Sequence, residues 1–128
     1  MLTYILSQRG DAMTENISFG DLLKRLIKEC GMTHTEFYRK LNITKPYFYD
    51  IIKSRIKPPP LEMQCKMLRI LKVADNDKKV FFQIAGYERN EVPGDIAYYL
   101  KKNPQMAEEI RKNVDYDSLL GGNQNEPE

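Results

Sequence analysis

The sequence predicts an all-α fold organised around two short helices that meet at a tight corner. Three observations predict it. Two adjacent segments each open with a capping threonine. Thr33 has Glu36 three residues on, as in a capping box, and Thr44 has Pro46 in the first turn, where a missing N–H costs nothing. Apolar residues recur at helical spacing through most of the chain, and alternation of the kind a strand needs is confined to Leu2, Tyr4 and Leu6. Helix stop signals (Gly31, Asn42, the Pro58-Pro59-Pro60 run, Gly86 and Asn103-Pro104) punctuate the chain at helix-length intervals.

Residues 1–17 read as a frayed N-terminal arm. A short strand over Leu2–Leu6 is the other reading, and Met13 is a candidate start of the chain, since Met13–Ser18 leads directly into the first helix. That helix runs from about Ser18, its cap, to Cys30. Phe19, Leu22, Leu23, Leu26 and Ile27 form its buried stripe, and Gly31 ends it. Helix two follows Thr33, with Phe37 and Leu41 on one face; Asn42-Ile43 forms the corner. Helix three follows Thr44 and points Phe48, Ile51 and Ile52 inward.

Residues 54–60 form a basic, proline-rich connection that cannot be helical. Helix four spans about Leu61–Leu71, with Leu61, Cys65, Leu68 and Leu71 on one side and Met63, Met67 and Ile70 near it. Asp75 or Asp77 caps helix five, whose inner face is Val80, Phe81, Ile84 and Ala85 and which Gly86 closes. Asp95 caps a sixth helix to Lys102, and Pro104 opens a last one to about Val114. Residues 18–87 thus form one five-helix domain, residues 88–114 a C-terminal helical extension, and residues 115–128 an acidic tail expected to be disordered.

Composition narrows the function. The 128 residues suffice for one domain with a sizeable core. With 41% hydrophobic and 30% charged residues the balance is that of an ordinary soluble protein. No apolar run approaches the roughly 20 residues of a membrane span, and no signal peptide is visible, so a cytoplasmic location is expected. The two cysteines, Cys30 and Cys65, form neither a disulfide framework nor a metal set and read as buried free thiols. His34 is the only histidine, and no glycine-rich phosphate loop appears. An enzyme, a metal site and a cofactor are therefore not expected. The net charge of +2 says little, but residues 19–57 hold nine Lys or Arg against four Asp or Glu, a local net of +5. That is the footprint expected of a nucleic-acid-binding unit.

From about Phe19 to Gly86 the chain resembles the Cro/cI-type, or XRE, helix-turn-helix regulators. The resemblance rests on Gly31-Met-Thr-His-Thr-Glu-Phe, on Thr44-Lys-Pro-Tyr-Phe-Tyr-Asp-Ile-Ile, and on Ser54-Arg-Ile-Lys-Pro-Pro-Pro. The later Val92-Pro-Gly-Asp-Ile-Ala and Asn103-Pro sections are similar to the helical tails some of these proteins carry. It implies a lambda-repressor-like five-helix domain that binds double-stranded DNA as a dimer on a palindromic operator. The chain departs from the pattern at His34 (Gln in the family), Tyr38 (Ala), Asn42 (Gly), Ile52 (an acid) and Ser54 (Gly). At position 38 a large side chain must widen the helix crossing or swing outward.

Carried over by position, the resemblance places Thr44, Lys45, Pro46, Tyr49 and Asp50 on the outer face of helix three. Lys45 is the best candidate base reader, since it can donate to guanine O6 and N7. Asp50 either accepts from cytosine N4 or orients Lys45 or Lys53. Tyr49 suits a sugar or a thymine methyl, and Tyr47 a phosphate. Thr33 and His34, at the start of helix two, should face the backbone, where helix N–H groups favour anions. Lys53, Arg55 and Lys57 suit the flanking phosphates.

The reading is a sequence-specific transcriptional regulator, a repressor, with helix three in the major groove. The helical extension either dimerises the protein or packs back on the first five helices. The alternative function is a protein-interaction or antitoxin-like module of the same fold without operator reading.

Overall fold

Ser18, in extended backbone, accepts the Asp21 N–H at 3.0 Å and starts α1 (Phe19–Glu29) of the computed structural model, which describes residues 17–121. The helices α2 (His34–Leu41), α3 (Lys45–Ile52), α4 (Leu61–Leu71) and α5 (Asp75–Arg89) follow, then α6 (Gly94–Lys102), α7 (Pro104–Arg111) and α8 (Tyr116–Leu119). The protein is all-helical, with no strand among the described residues. The expected arm lies outside them except for Ile17, which packs against the core.

The chain divides into two compact units between Asp95 and Ile96. In the first, α1 packs on α3 and α5, and α2 packs on α3 and α4. One cluster fills the space between them, with Phe19, Leu22, Leu26, Phe37, Phe48, Met67 and Phe81 among its fully buried members. Phe19 meets Phe81 edge to face at 5.0 Å, and Phe19 N–H donates to Glu88 Oε2 at 2.8 Å, which ties the start of α1 to the end of α5.

Gly20 explains how closely α1 approaches α3. A Cβ at this position would lie 2.2 Å from the Ile52 carbonyl oxygen and 2.9 Å from that of Ile51. Only hydrogen fits there.

Helix ends differ from expectation in four places. Ala74, not Asp75 or Asp77, is the N-cap of α5, and both acids fall in its first turn, where the helix dipole favours them. Gly86 does not close α5, which continues to Arg89 and ends at left-handed Asn90. Gly86 is instead buried under the returning chain, where a Cβ would meet Pro93 at 2.8 Å. Asp95 lies inside the first turn of α6 rather than capping it. α7 stops at Arg111, short of Val114.

The inner face of α4 matches the expected one at Met67, Leu68 and Leu71 and differs at Leu61, Gln64 and Cys65. Gln64, Met67, Leu68 and Leu71 are buried, while Leu61 and Cys65 are only partly so. Gln64 Nε2 donates to the Pro59 carbonyl at 2.8 Å, while its Oε1 is buried without a hydrogen-bond partner among the described residues. Cys30 is likewise half-buried rather than buried, and its thiol donates to the Leu71 carbonyl at 2.7 Å.

The second unit contains the rest of α6, then α7 and α8. The tail expected to be disordered begins with a one-turn helix: Asp115 caps α8 by accepting the Ser118 N–H and hydroxyl. That hydroxyl and N–H hold the Asp115 carboxyl below the ordinary carboxylate range. No described residue of this unit is buried.

Candidate nucleic-acid interface

The corner between α2 and α3 is built from local signals. Thr33 Oγ1 accepts the Glu36 N–H at 3.0 Å while Glu36 Oε1 accepts the Thr33 N–H at 2.8 Å, completing the capping box. Asn42 takes φ 63°, and its N–H and that of Ile43 donate back to the Arg39 and Tyr38 carbonyls at 3.0 and 3.1 Å. That paired return is a Schellman motif. Thr44 then caps α3 through the Tyr47 N–H at 3.2 Å, with Pro46 in the first turn.

This geometry brings His34 and Tyr49 together across the corner. His34 Nδ1 lies 3.3 Å from Tyr49 Oη, and the His34 ring stands 5.3 Å from Phe48 and 5.9 Å from Tyr49. The start of α2 and the outer side of α3 are thus one continuous surface. Thr33, Thr44, Lys45 and Pro46 are exposed on it, and His34, Tyr47, Tyr49 and Asp50 are half-buried. Tyr47 and Tyr49 also pack against the core, so each presents only part of its ring to solvent. Phe48 is fully buried, as its spacing predicts.

The capping box narrows what Thr33 can offer an anion. Its own N–H is taken by the Glu36 carboxylate, so the donors left at this helix end are the backbone N–H groups of His34 and Thr35.

Asp50 orients neither Lys45 nor Lys53. It pairs with Arg55 instead, Nη1 to Oδ1 at 3.2 Å, because the chain turns back immediately after α3. Ser54 takes φ 58°, its N–H donates to the Ile51 carbonyl at 3.1 Å, and the Arg55 N–H donates to the Asp50 carbonyl at 2.9 Å. This second Schellman turn fixes where Arg55 begins. Lys53, Arg55 and Lys57 are all exposed around it.

Two interactions that sequence reasoning missed hold this basic turn in place. Arg89 at the end of α5 donates from Nη1 to the Pro58 carbonyl at 2.9 Å, and Gln64 holds the next carbonyl, that of Pro59. Arg89 is itself clamped by Glu91, whose carboxyl this hydrogen bonding holds below the usual range. An open groove lined by residues 54–57 and by Tyr87, Glu88 and Asn90 runs beside the turn. Burial pushes the Glu88 carboxyl up from the ordinary value; the Phe19 N–H opposes that shift and Asp21 adds to it.

Tyr38 does not swing clear of the core but packs against it. It is half-buried, its ring 5.4 Å from that of Phe48 and tilted by 42°. Among the described residues no group of three or more His, Cys, Asp or Glu side chains is placed to hold a metal ion. No helix among them is long and apolar enough to cross a membrane. Comparison with family models, with curated proteins and with solved structures finds no match for the chain.

Proposed function

We propose that this protein is a sequence-specific DNA-binding transcriptional regulator, a repressor, that places α3 in the major groove as a helix-turn-helix. The observation that carries the proposal is the His34–Tyr49 contact, which joins the α2 N-terminus and the α3 face into one surface flanked by the basic turn. The order and packing of α1 to α5 fit the five-helix, lambda-repressor-like domain of the XRE-type regulators that the sequence resembles.

In this reading Lys45 reads a base edge, His34 and Thr35 meet phosphate, and Lys53, Arg55 and Lys57 hold the flanking backbone. Thr44, Pro46, Tyr47 and Tyr49 shape the surface between them, and Thr33 acts through the cap. One eight-residue helix contacts few base pairs, so specificity needs two copies on a palindrome with half-sites about 34–36 Å apart.

A second reading, an interaction module of the same fold, draws on one observation: Asp50 already occupies Arg55. Measuring duplex affinity against salt separates the two. Four phosphates neutralised per protomer give a slope of about −3.6 per protomer in log affinity against log salt, about −7.2 for two copies, and Arg55→Ala reduces its magnitude by about 0.9 per protomer. Lys45→Ala should abolish the preference for a selected duplex. Unaltered DNA binding by both variants contradicts the proposal.

A further inference from the structure

His34 and Tyr49 form a hydrogen-bonded pair whose direction depends on one proton. His34 is the only histidine of the chain, and histidine is the side chain that ordinarily changes charge between about pH 5 and 8. When the ring is neutral with Nδ1 bare, the Tyr49 hydroxyl donates to Nδ1 across 3.3 Å, and Nε2–H is the ring's one donor. When the ring is protonated, both nitrogens donate. Nδ1–H then points at Tyr49 Oη, and the hydroxyl hydrogen turns elsewhere. One added proton thus gives the pair a positive charge and releases a second donor, the Tyr49 hydroxyl.

No carboxylate of the surrounding helices is paired with that ring. On α2, Glu36 is turned back to the Thr33 N–H. On α3, Asp50 is engaged with Arg55, and Lys45 is exposed in the first turn. α4, which also packs on α2, carries Glu62, Cys65, Lys66 and Arg69. Among the described residues none of these shares a hydrogen bond or ion pair with the His34 ring, whose ring neighbours are Phe48 and Tyr49.

We infer that the His34–Tyr49 pair makes DNA binding proton-dependent: a backbone phosphate seated on it favours the imidazolium, so binding takes up a proton and tightens as pH falls. The sign follows from linkage. Falling pH favours whichever state holds more protons, and here that state is the complex. This coupling rests on the regulator reading in taking the ligand to be duplex DNA. It does not rest on sequence reading, because phosphate contacts carry no sequence information.

Fluorescence anisotropy of a mixed-sequence duplex titrated with the full chain, at about pH 7.5 and about pH 5.5 over a series of salt concentrations, tests it. At the lower pH the wild type should bind about ten-fold more tightly per protomer, the scale of one charge-assisted hydrogen bond. Its salt slope should steepen by about 0.9 per protomer, one more phosphate neutralised. His34→Gln, which keeps a neutral donor, should lose both changes. His34→Arg, charged throughout, should show the steeper slope at both pH values. Equal changes in wild type and His34→Gln overturn the inference, because other groups then take up the proton. So does a wild type whose affinity and slope stay flat, or a His34→Arg slope no steeper than that of His34→Gln. The predicted pH dependence without an enriched motif in sequence selection supports the coupling and removes the sequence-specific reading. Absence of duplex binding at either pH overturns both.

Discussion

His34 Nδ1 and Tyr49 Oη lie 3.3 Å apart, fifteen residues apart in sequence, and this contact makes one surface of the α2 start and the α3 face. Tyr49→Phe keeps the ring against Phe48 and removes only the hydroxyl. The fold should lose about 1 kcal/mol or less in urea unfolding, the net worth of one hydrogen bond. Affinity for a selected duplex should fall about five-fold, since the His34 ring is no longer held. Equal affinity in the two proteins would mean that the contact serves only stability.

Gly20→Ala should destabilise the first unit by about 2–3 kcal/mol, the scale of overpacking against an unyielding neighbour. The added Cβ meets two backbone carbonyls, those of Ile52 and Ile51, rather than a flexible side chain. Chemical denaturation measures it. No loss, or the gain of about 0.5–1 kcal/mol that Gly→Ala gives at an exposed helical site, would show that α1 does not press on α3.

Ser54→Gly should do the opposite. Ser54 sits at φ 58° in the turn after α3, a conformation that costs a residue with a Cβ about 1–2 kcal/mol. Part of that gain is lost to the greater freedom of glycine in the unfolded chain, so the net stabilisation should be about 0.5–1 kcal/mol. A rise of a few degrees in Tm, with helix content unchanged, is the expected result.

Glu88 supplies a pH prediction. Burial raises its carboxyl above the ordinary 4.5, so folding favours the protonated form. Its favourable contribution is complete below the unfolded-chain value and is lost as pH rises through the folded one. Glu88→Gln keeps an acceptor for the Phe19 N–H but cannot ionise. The Tm of wild type minus that of Glu88→Gln should therefore fall as pH is raised from about 4, below the ordinary Glu value, to about 7. A difference that stays flat across this range contradicts the assignment.

Much of the candidate site was legible because its signals are local. Thr33 with Glu36, Asn42 at the corner, and Thr44 with Pro46 each act within four residues, and the structure uses each as the spacing implies. The inward residues of α1 and α3 followed from periodicity in the same way. Illegible were contacts between residues far apart in sequence. Gly20 meets Ile52, Gly86 meets Pro93, and Arg89 reaches Pro58. An isolated glycine inside a helical pattern is the one sequence signal that points to such close approaches, and Gly20 and Gly86 both carry it. The Asp50–Arg55 pair depends on the turn taken at Ser54, which helix spacing does not reveal. The Asp115 cap with Ser118 was legible and was masked by the polar composition around it.

Selection of the purified protein against a random-sequence duplex pool at near-physiological salt tests the central claim most directly. Enrichment of a palindrome with half-sites about one helical turn apart, lost in Lys45→Ala, is the result predicted for α3 reading the major groove. Weak, salt-sensitive binding with no enriched motif would contradict it and leave the interaction module as the function of this fold.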